Sequence, residues 1–208
     1  MKEYIKKTID FYNQNIDEYF QKTMDLQDKF WLGKFVSSLS QDSKILDIGC
    51  AFGRDTKFFT NSGFDATGID LSKEMIKKAK AFSPSSKFYV MDMQNLDFTD
   101  QSFDGIWCSA ALLHLNKNDA ILALKEIKRV LKKDGFLYLN LKEGIGEKVI
   151  FDERYQNSEK FYSYYQESEI KDLLSKFNFK IIDFKIENNS QEKYRNTGII
   201  YLIAQNQQ

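Results

Sequence analysis

The sequence predicts an α/β fold, with strands and helices alternating along the chain, and three observations carry that prediction. Short apolar runs of strand length recur along the chain, stretches of helical periodicity follow them, and glycines bound the turn joining the first such pair. At 208 residues the chain is long enough for one such domain with a full core. Pro84 is the only proline, and no linker-like, repeated or low-complexity tract marks a second domain. The organisation predicted is a single domain: a helical extension over 1–39, a central half over 44–142, and a closing segment over 143–208.

The first strand and its turn lie in "ILDIGCAFGRDTKFF". Ile45, Leu46 and Ile48 read as a buried strand carrying one acid, Asp47. Phe58 and Phe59 then supply the inward face of a helix whose polar positions are Arg54, Asp55 and Lys57. The turn Gly49-Cys50-Ala51-Phe52-Gly53 lets a ligand approach the backbone closely, and the helix N-terminus offers unpaired N–H groups. Pyrophosphate is a poor candidate for that ligand. G-x-G-x-x-G would need glycine at 51 and again at 54, and the Gly-Lys-Ser/Thr of a P-loop is absent from the stretch. Asp47 repels phosphate and suits a ligand bearing an ammonium group.

The second unit, "GFDATGIDLSKEMIKKAK", gives a strand through Ala66–Ile69, an acid at its end and a helix capped by Ser72, with Met75, Ile76 and Ala79 on its apolar face. Asp70 follows Gly53 by 17 residues, close to the spacing at which a second-strand acid accepts from ribose hydroxyls. "FYVMDMQNLDF", "FDGIWCSAALLHL" and "ALKEIKRVLKKDGFLYLN" continue the alternation. Near the end, "ESEIKDLLSKFNF" is an amphipathic helix with Ile170, Leu173, Leu174 and Phe177 on one face, capped at Ser168 or the residue before it, and "KIIDFKIE" and "TGIIYLIAQ" read as two final strands.

Taken as an ordered set over residues 44–142, these segments resemble the class I S-adenosylmethionine-dependent methyltransferases. The resemblance implies a Rossmann-like, doubly wound sheet of seven strands in the order 3-2-1-4-5-7-6, the last strand antiparallel. It also implies S-adenosylmethionine as cofactor and S-adenosylhomocysteine as product. Asp47 and the backbone at Gly49, Ala51 and Gly53 would face the methionine end of the cofactor, with Arg54 on its carboxylate. Asp70 would hold the ribose diol, Asp92 and the Met93 amide would read the adenine, and Leu71 and Met75 would pack near it. Ser109 and Ala110 would border the reactive methyl, and Tyr19 would belong to a lid. The departure is Ala51, where most of the family has glycine; alanine keeps the turn if its φ is negative, so the deviation bears on affinity rather than on cofactor identity.

The acceptor site is expected beyond the carboxyl ends of the strands, among the segments that vary in the family. Tyr12, His114, Lys142, Arg154, Tyr162 and Tyr165 are its candidates, and Phe161 and Tyr164 extend an aromatic wall. His114 is the one candidate catalytic group, as a general base. A structural hydrogen-bonding role competes, because the same "LLHL" context recurs in relatives with diverse acceptors.

Thirty basic and thirty acidic residues leave no net charge, which disfavours a large nucleic-acid substrate. Cys50 and Cys108 make neither a metal site nor a disulfide framework and read as two buried reduced thiols. No signal peptide or membrane span is visible, so a cytoplasmic protein, monomer or homodimer, is expected. A small-molecule methyltransferase is favoured, with a resemblance to tellurite-resistance-type enzymes. The alternatives are a methyltransferase of tRNA or protein, to which a basic face of Lys125, Lys128, Arg129, Lys132 and Lys133 would contribute, and a nucleotide-binding protein without catalysis.

Overall fold

The computed structural model describes residues 1–152, 155, 159–188 and 198–207. Three helices open the chain: α1 (Glu3–Gln14), α2 (Ile16–Thr23) and α3 (Lys29–Ser37). The alternating part follows as β1 (Lys44–Ile48), α4 (Arg54–Asn61), β2 (Asp65–Asp70), α5 (Lys73–Phe82), β3 (Lys87–Val90) and β4 (Phe103–Ser109). A 3₁₀ turn at Leu112–His114 then leads to α6 (Lys117–Val130) and β5 (Leu131–Glu143). A hairpin of β6 (Glu147–Phe151) and β7 (Glu159–Tyr165) precedes α7 (Glu167–Lys176), β8 (Phe179–Glu187) and β9 (Ile199–Asn206).

The strands join in the order β3-β2-β1-β4-β5, with β9 antiparallel to β5 and β8 antiparallel to β9. This is the expected seven-stranded order with its antiparallel last strand. The β6–β7 hairpin is an addition that the sequence reading leaves as irregular chain. Its β7 pairs parallel with the end of β5, Lys142 opposite Tyr164 and Glu143 opposite Tyr165. Strand alternation is hard to see in "EKFYSYY" because aromatic residues occupy both faces, and both faces are buried.

Two cores flank the sheet, and the period of two along each strand assigns residues to them. Ile45, Trp107, Tyr138 and Tyr201 face α3 and α4, where Trp31, Phe35 and Phe59 complete a fully buried aromatic layer. Within it Trp107 stacks on Tyr138 with 3.6 Å between ring centroids and 6° between planes. Leu46, Ile48, Ile106 and Cys108 face the other way, toward α6 and α7. The cap of α7 lies before both expected positions, one residue ahead of Glu167 and two ahead of Ser168: Gln166 and Glu169 form a reciprocal capping box, so the first turn begins at Glu167. Ser72 caps α5 as expected, accepting from the Met75 N–H at 3.0 Å.

The helical extension is fastened to both halves of the sheet. Lys2 Nζ and Tyr4 Oη donate to opposite oxygens of the buried Asp119 at the start of α6. Thr8 Oγ1 accepts the Phe161 N–H of β7 at 3.2 Å. Ser72 Oγ donates to Asn13 Oδ1 at 2.6 Å, and Lys78 pairs with Asp17. These bonds set α1 across the carboxyl ends of the central strands.

Candidate active site

The β1–α4 turn is built from backbone bonds and left-handed residues. The Gly49 and Cys50 N–H groups both donate to the Ile69 carbonyl at the end of β2, and the Gly53 N–H donates to the Cys50 carbonyl. Gly49 (φ 71°), Ala51 (φ 47°) and Gly53 (φ 81°) all lie in the left-handed region. A Cβ on Gly49 would sit 2.4 Å from Ala111 Cβ, so only glycine fits there. The expectation for Ala51 is corrected: its φ is positive, and the turn is kept because the Ala51 N–H donates to Asp70 Oδ2 at 3.0 Å. Asp70 Oδ1 also accepts from the Ser72 N–H at 2.8 Å, so this acid braces two loops at once. Burial nevertheless pushes its carboxyl above the usual range.

A cavity with about 830 Å³ of empty space, part of it open to solvent, runs along these strand ends beneath α1. Asp70 and Leu71, Asp92 and Met93, and Ser109 and Ala110 line it in turn, with Gly49, Ala51 and Met75 between them. Its roof is one stripe of α1 at helical spacing, Ile5, Thr8, Ile9 and Tyr12, joined by Tyr19 of α2. A smaller lobe adds Asp47 and Arg54. Arg54 donates Nε and Nη2 to the Asp55 carboxylate at 2.8 and 3.2 Å and Nη1 to the Thr23 carbonyl at 2.8 Å, which fixes the guanidinium plane and leaves further N–H donors on it. Asp47, buried and taking the Thr56 hydroxyl at 2.6 Å, has its carboxyl pushed up to about 8 by burial and by the Asp55 charge.

A second, wider cavity opens beside the first and shares Tyr12, Tyr19, Ser109, Ala110 and His114 with it. Its walls include Trp107, Tyr155, Tyr162 and Tyr201, with Lys142 from β5 and Lys160 from β7. Lys160 is buried among rings, 4.3 Å from the Phe11 centroid, and pairs with the buried Asp152 at 2.6 Å. His114 stands at the shared aperture. Its Nδ1 lies 2.9 Å from the Phe161 carbonyl, an acceptor only, so Nδ1 carries the proton and Nε2 accepts the Tyr12 hydroxyl at 2.9 Å. Tyr162 stacks on the imidazole at 5.1 Å. Burial drives the His114 pKa down to about 3, so the ring is neutral and a weak base at neutral pH.

Most of the residues picked out by sequence thus converge, but some do not. Gly53 lines neither cavity: its Cα faces Phe88, where a Cβ would come within 2.6 Å of the ring, and its role is to turn the chain into α4. Tyr165 is also off the site. The period of two along β7 sends Tyr162 and Lys160 into the cavity and buries Tyr165 in the core, with Lys117 Nζ over its ring at 3.3 Å. Phe161 packs on Tyr4, and Tyr164 against Gly144, so the expected aromatic wall is reduced to Tyr162. Arg154 lies outside the described residues. The sequence reading missed Trp107, Tyr155, Lys160 and Tyr201, although Tyr155 and Lys160 directly adjoin Arg154 and Phe161, which it named. Cys50 and Cys108 are buried free thiols, both pushed up by burial, Cys108 to about 12.

Strand order, ligand crevice and acidic strand ends define a Rossmann-like nucleotide-cofactor fold. Residues 46–139 match the family model described as a methyltransferase domain. A S-adenosylmethionine-dependent methyltransferase from Methanosarcina mazei superposes with a TM-score of 0.75 at 25% identity, covering 83% of this chain and 96% of that one. Among sequence relatives, the putative methyltransferase YqeM of Bacillus subtilis is 35% identical over 116 residues, 53% of this chain. The 2-methyl-6-phytyl-1,4-hydroquinone methyltransferase of Synechocystis is 34% identical over 106 residues, 49% of this chain. The chain spans 47% and 33% of the lengths of these two relatives, half or less. Over residues 46–139 the chain resembles the S-adenosylmethionine-dependent methyltransferases in sequence, and over most of its length it shares the fold of one of them.

Proposed function

We propose that this protein transfers a methyl group from S-adenosylmethionine to a small-molecule acceptor by in-line displacement. The observation that carries this reading is the shared aperture: two cavities meet only through Tyr12, Tyr19, Ser109, Ala110 and His114 among their described lining residues. The donor set of the first cavity fits the cofactor. Acids stand at the ends of β2 and β3, apolar Leu71, Met75 and Met93 lie between them, and Arg54 with Asp47 offers a cation and an acid to an amino-acid end. When bound, the cofactor supplies a methyl on a positively charged sulfur. The chain's residues then position rather than react, and orientation of that kind can contribute roughly 7 to 11 kcal/mol at best.

His114 acts in this scheme as a fixed acceptor that aims the Tyr12 hydroxyl. A neutral imidazole with so low a pKa removes a proton poorly, so the acceptor atom arrives already unprotonated. Transfer to tRNA gains little support from the basic residues of α6 and the start of β5. Lys128 donates to the Asn206 side chain and the Gln207 carbonyl, Arg129 is bound to Glu126 and Asp100, and Lys132 pairs with Asp104. Small acceptors agree with the hydroquinone named for one relative. Among the described residues no helix is long and apolar enough to cross a membrane, and a cytoplasmic location suits the two free thiols.

Titration calorimetry with S-adenosylmethionine and S-adenosylhomocysteine, with NAD as control, tests the reading. Micromolar binding of both, with no binding of NAD, is expected and would justify a screen of small acceptors. Preference for NAD, or no binding of either sulfur ligand, overturns it.

A further inference from the structure

Three residues stand in one row across the sheet at the second cavity. Asn140 of β5 is in register with Ser109 of β4 on one side and with Tyr201 of β9 on the other, and all three line the cavity. Ser109 belongs to the shared aperture, so Asn140 lies one strand, about 4.8 Å, away from it. Among the described residues, no hydrogen bond of ordinary geometry engages the Ser109 hydroxyl or the Asn140 amide. Tyr138, two residues before Asn140 and on the same face of β5, buries its hydroxyl with no hydrogen-bond partner among the described residues. The groups that act on that hydroxyl are Asn140, Asp28, Tyr201 and Asp55, and each of them lines the second cavity, so it points toward the cavity floor. A bond between Tyr138 and Asn140 would use one of the amide's donor and acceptor sites and leave the others open.

The surroundings narrow what the amide can take. Charges of both signs line the cavity: Lys29 adjoins Asp28, Arg54 pairs with Asp55 at 2.8 Å and Lys160 with Asp152 at 2.6 Å, so neither sign is selected. Tyr155, Tyr162 and Tyr201 supply ring surface in the same cavity, which favours a flat ligand. A side-chain amide presents a donor and an acceptor side by side, the complement of an amide or lactam edge. We propose that the methyl acceptor is an uncharged planar molecule with a neighbouring N–H and C=O on one edge, held by the Asn140 amide one strand away from the aperture. Tyr138 acts through Asn140, as a positioning residue. This deepens the methyl-transfer reading and rests on it for the identity of the neighbouring cofactor cavity. An analogue lacking the N–H is rejected because it leaves the oxygen of the Asn140 amide without a partner in the complex.

The test compares two probes of one shape on the whole chain, with and without S-adenosylhomocysteine: 2-quinolinone, which has the N–H and C=O edge, and coumarin, in which a ring oxygen replaces the N–H. Binding is read by calorimetry for the natural chain, Asn140→Leu and Asn140→Asp. The expected result is that 2-quinolinone binds at least about tenfold tighter than coumarin, equivalent to about 1.4 kcal/mol. Asn140→Leu brings the ratio below about threefold. Asn140→Asp keeps the oxygen that takes the N–H and loses the donor to the carbonyl, so it weakens both probes while the ratio stays above about tenfold. S-adenosylhomocysteine affinity is unchanged in both variants, since Asn140 is not among the described residues lining the first cavity. Tyr138→Phe removes a hydroxyl with no structural partner, so Tm stays within about 1 °C or rises while the preference for 2-quinolinone shrinks about threefold. Equal or tighter binding of coumarin, no binding of 2-quinolinone, or a preference that survives Asn140→Leu overturns the inference. A fall in Tm of more than about 4 °C in Tyr138→Phe overturns it too, because the hydroxyl would then be part of the fold. Failure of S-adenosylhomocysteine to bind while the 2-quinolinone preference holds would instead sink the methyl-transfer reading alone.

Discussion

Asp70 is the residue whose removal separates loop construction from ligand binding. Its two oxygens take the Ala51 and Ser72 N–H groups at 3.0 and 2.8 Å, one from each loop bordering the cofactor cavity. Hydrogen bonds to a charged group are worth roughly 1.5–3 kcal/mol each. Asp70 is partly exposed, so water recovers some of this after truncation, and Asp70→Ala is expected to cost about 3 kcal/mol in stability for the two bonds together. In a chain of this size each kcal/mol shifts Tm by about 2–4 °C, so a fall of about 6–12 °C follows. Asp70→Asn keeps one acceptor oxygen and should lose about half as much. If the same carboxylate holds the ribose diol, two further bonds of this strength disappear, and S-adenosylhomocysteine affinity falls by at least about 100-fold. Differential scanning calorimetry and titration on the same samples, well below the lowered Tm, give both numbers. A lowered Tm with affinity within about threefold would show that Asp70 is a loop brace only. An unchanged Tm would refute the account of how the turn is held.

Gly49→Ala places a Cβ 2.4 Å from Ala111 Cβ at a φ of 71°, and left-handed strain with overpacking should cost about 2–5 kcal/mol in a denaturant titration; a loss under about 1 kcal/mol refutes the close approach. Ala51→Gly relieves a left-handed alanine, partly offset by the freedom glycine adds to the unfolded chain, so a gain of about 0.5 kcal/mol is expected, and destabilisation by more than about 1 kcal/mol would contradict it. His114 has a folded pKa near 3, below the ordinary value of 6.5, so the unfolded chain takes its proton first as pH falls. The His114 contribution is intact above about 6.5 and is lost toward 3 at up to about 1.4 kcal/mol per pH unit, and His114→Asn should flatten that part of a stability profile at pH 7, 6 and 5. Asp47, raised to about 8, holds its proton in the unliganded protein near neutrality. An ammonium group placed beside it favours the ionised form, so S-adenosylhomocysteine binding at pH 7 should release up to about one proton, read from titrations in buffers of different ionisation enthalpy and absent in Asp47→Asn.

The cofactor half was legible because its signals are local. Asp47, Gly49 and Ala51 lie within five consecutive residues, and Asp70, Leu71, Ser72 and Met75 within six, so one strand end and one turn hold each group together. The sign of φ at Ala51 was not legible, since it depends on an acid 19 positions away that accepts its N–H. The second cavity is assembled from distant parts of the chain: Tyr12 on α1, His114 after β4, Lys142 on β5, and Lys160 and Tyr162 on β7. Choosing Tyr162 and Lys160 over Tyr165 requires knowing that 159–165 is a strand and which of its faces the sheet buries.

One helix serves both cavities, and this links them physically. Ile5, Thr8, Ile9 and Tyr12 roof the first cavity, while the Tyr12 hydroxyl reaches His114 at the aperture and Thr8 holds the Phe161 N–H of the strand carrying Lys160 and Tyr162. Opening the roof of the first cavity must therefore break bonds that also set the wall of the second. The fastening at Asp119 lies outside both cavities' linings, so loosening it through Lys2→Ala and Tyr4→Phe tests this link without touching either. The double variant should speed S-adenosylhomocysteine dissociation and hydrogen exchange at the Phe161 N–H together. A change in one without the other would show that the roof and the wall move separately.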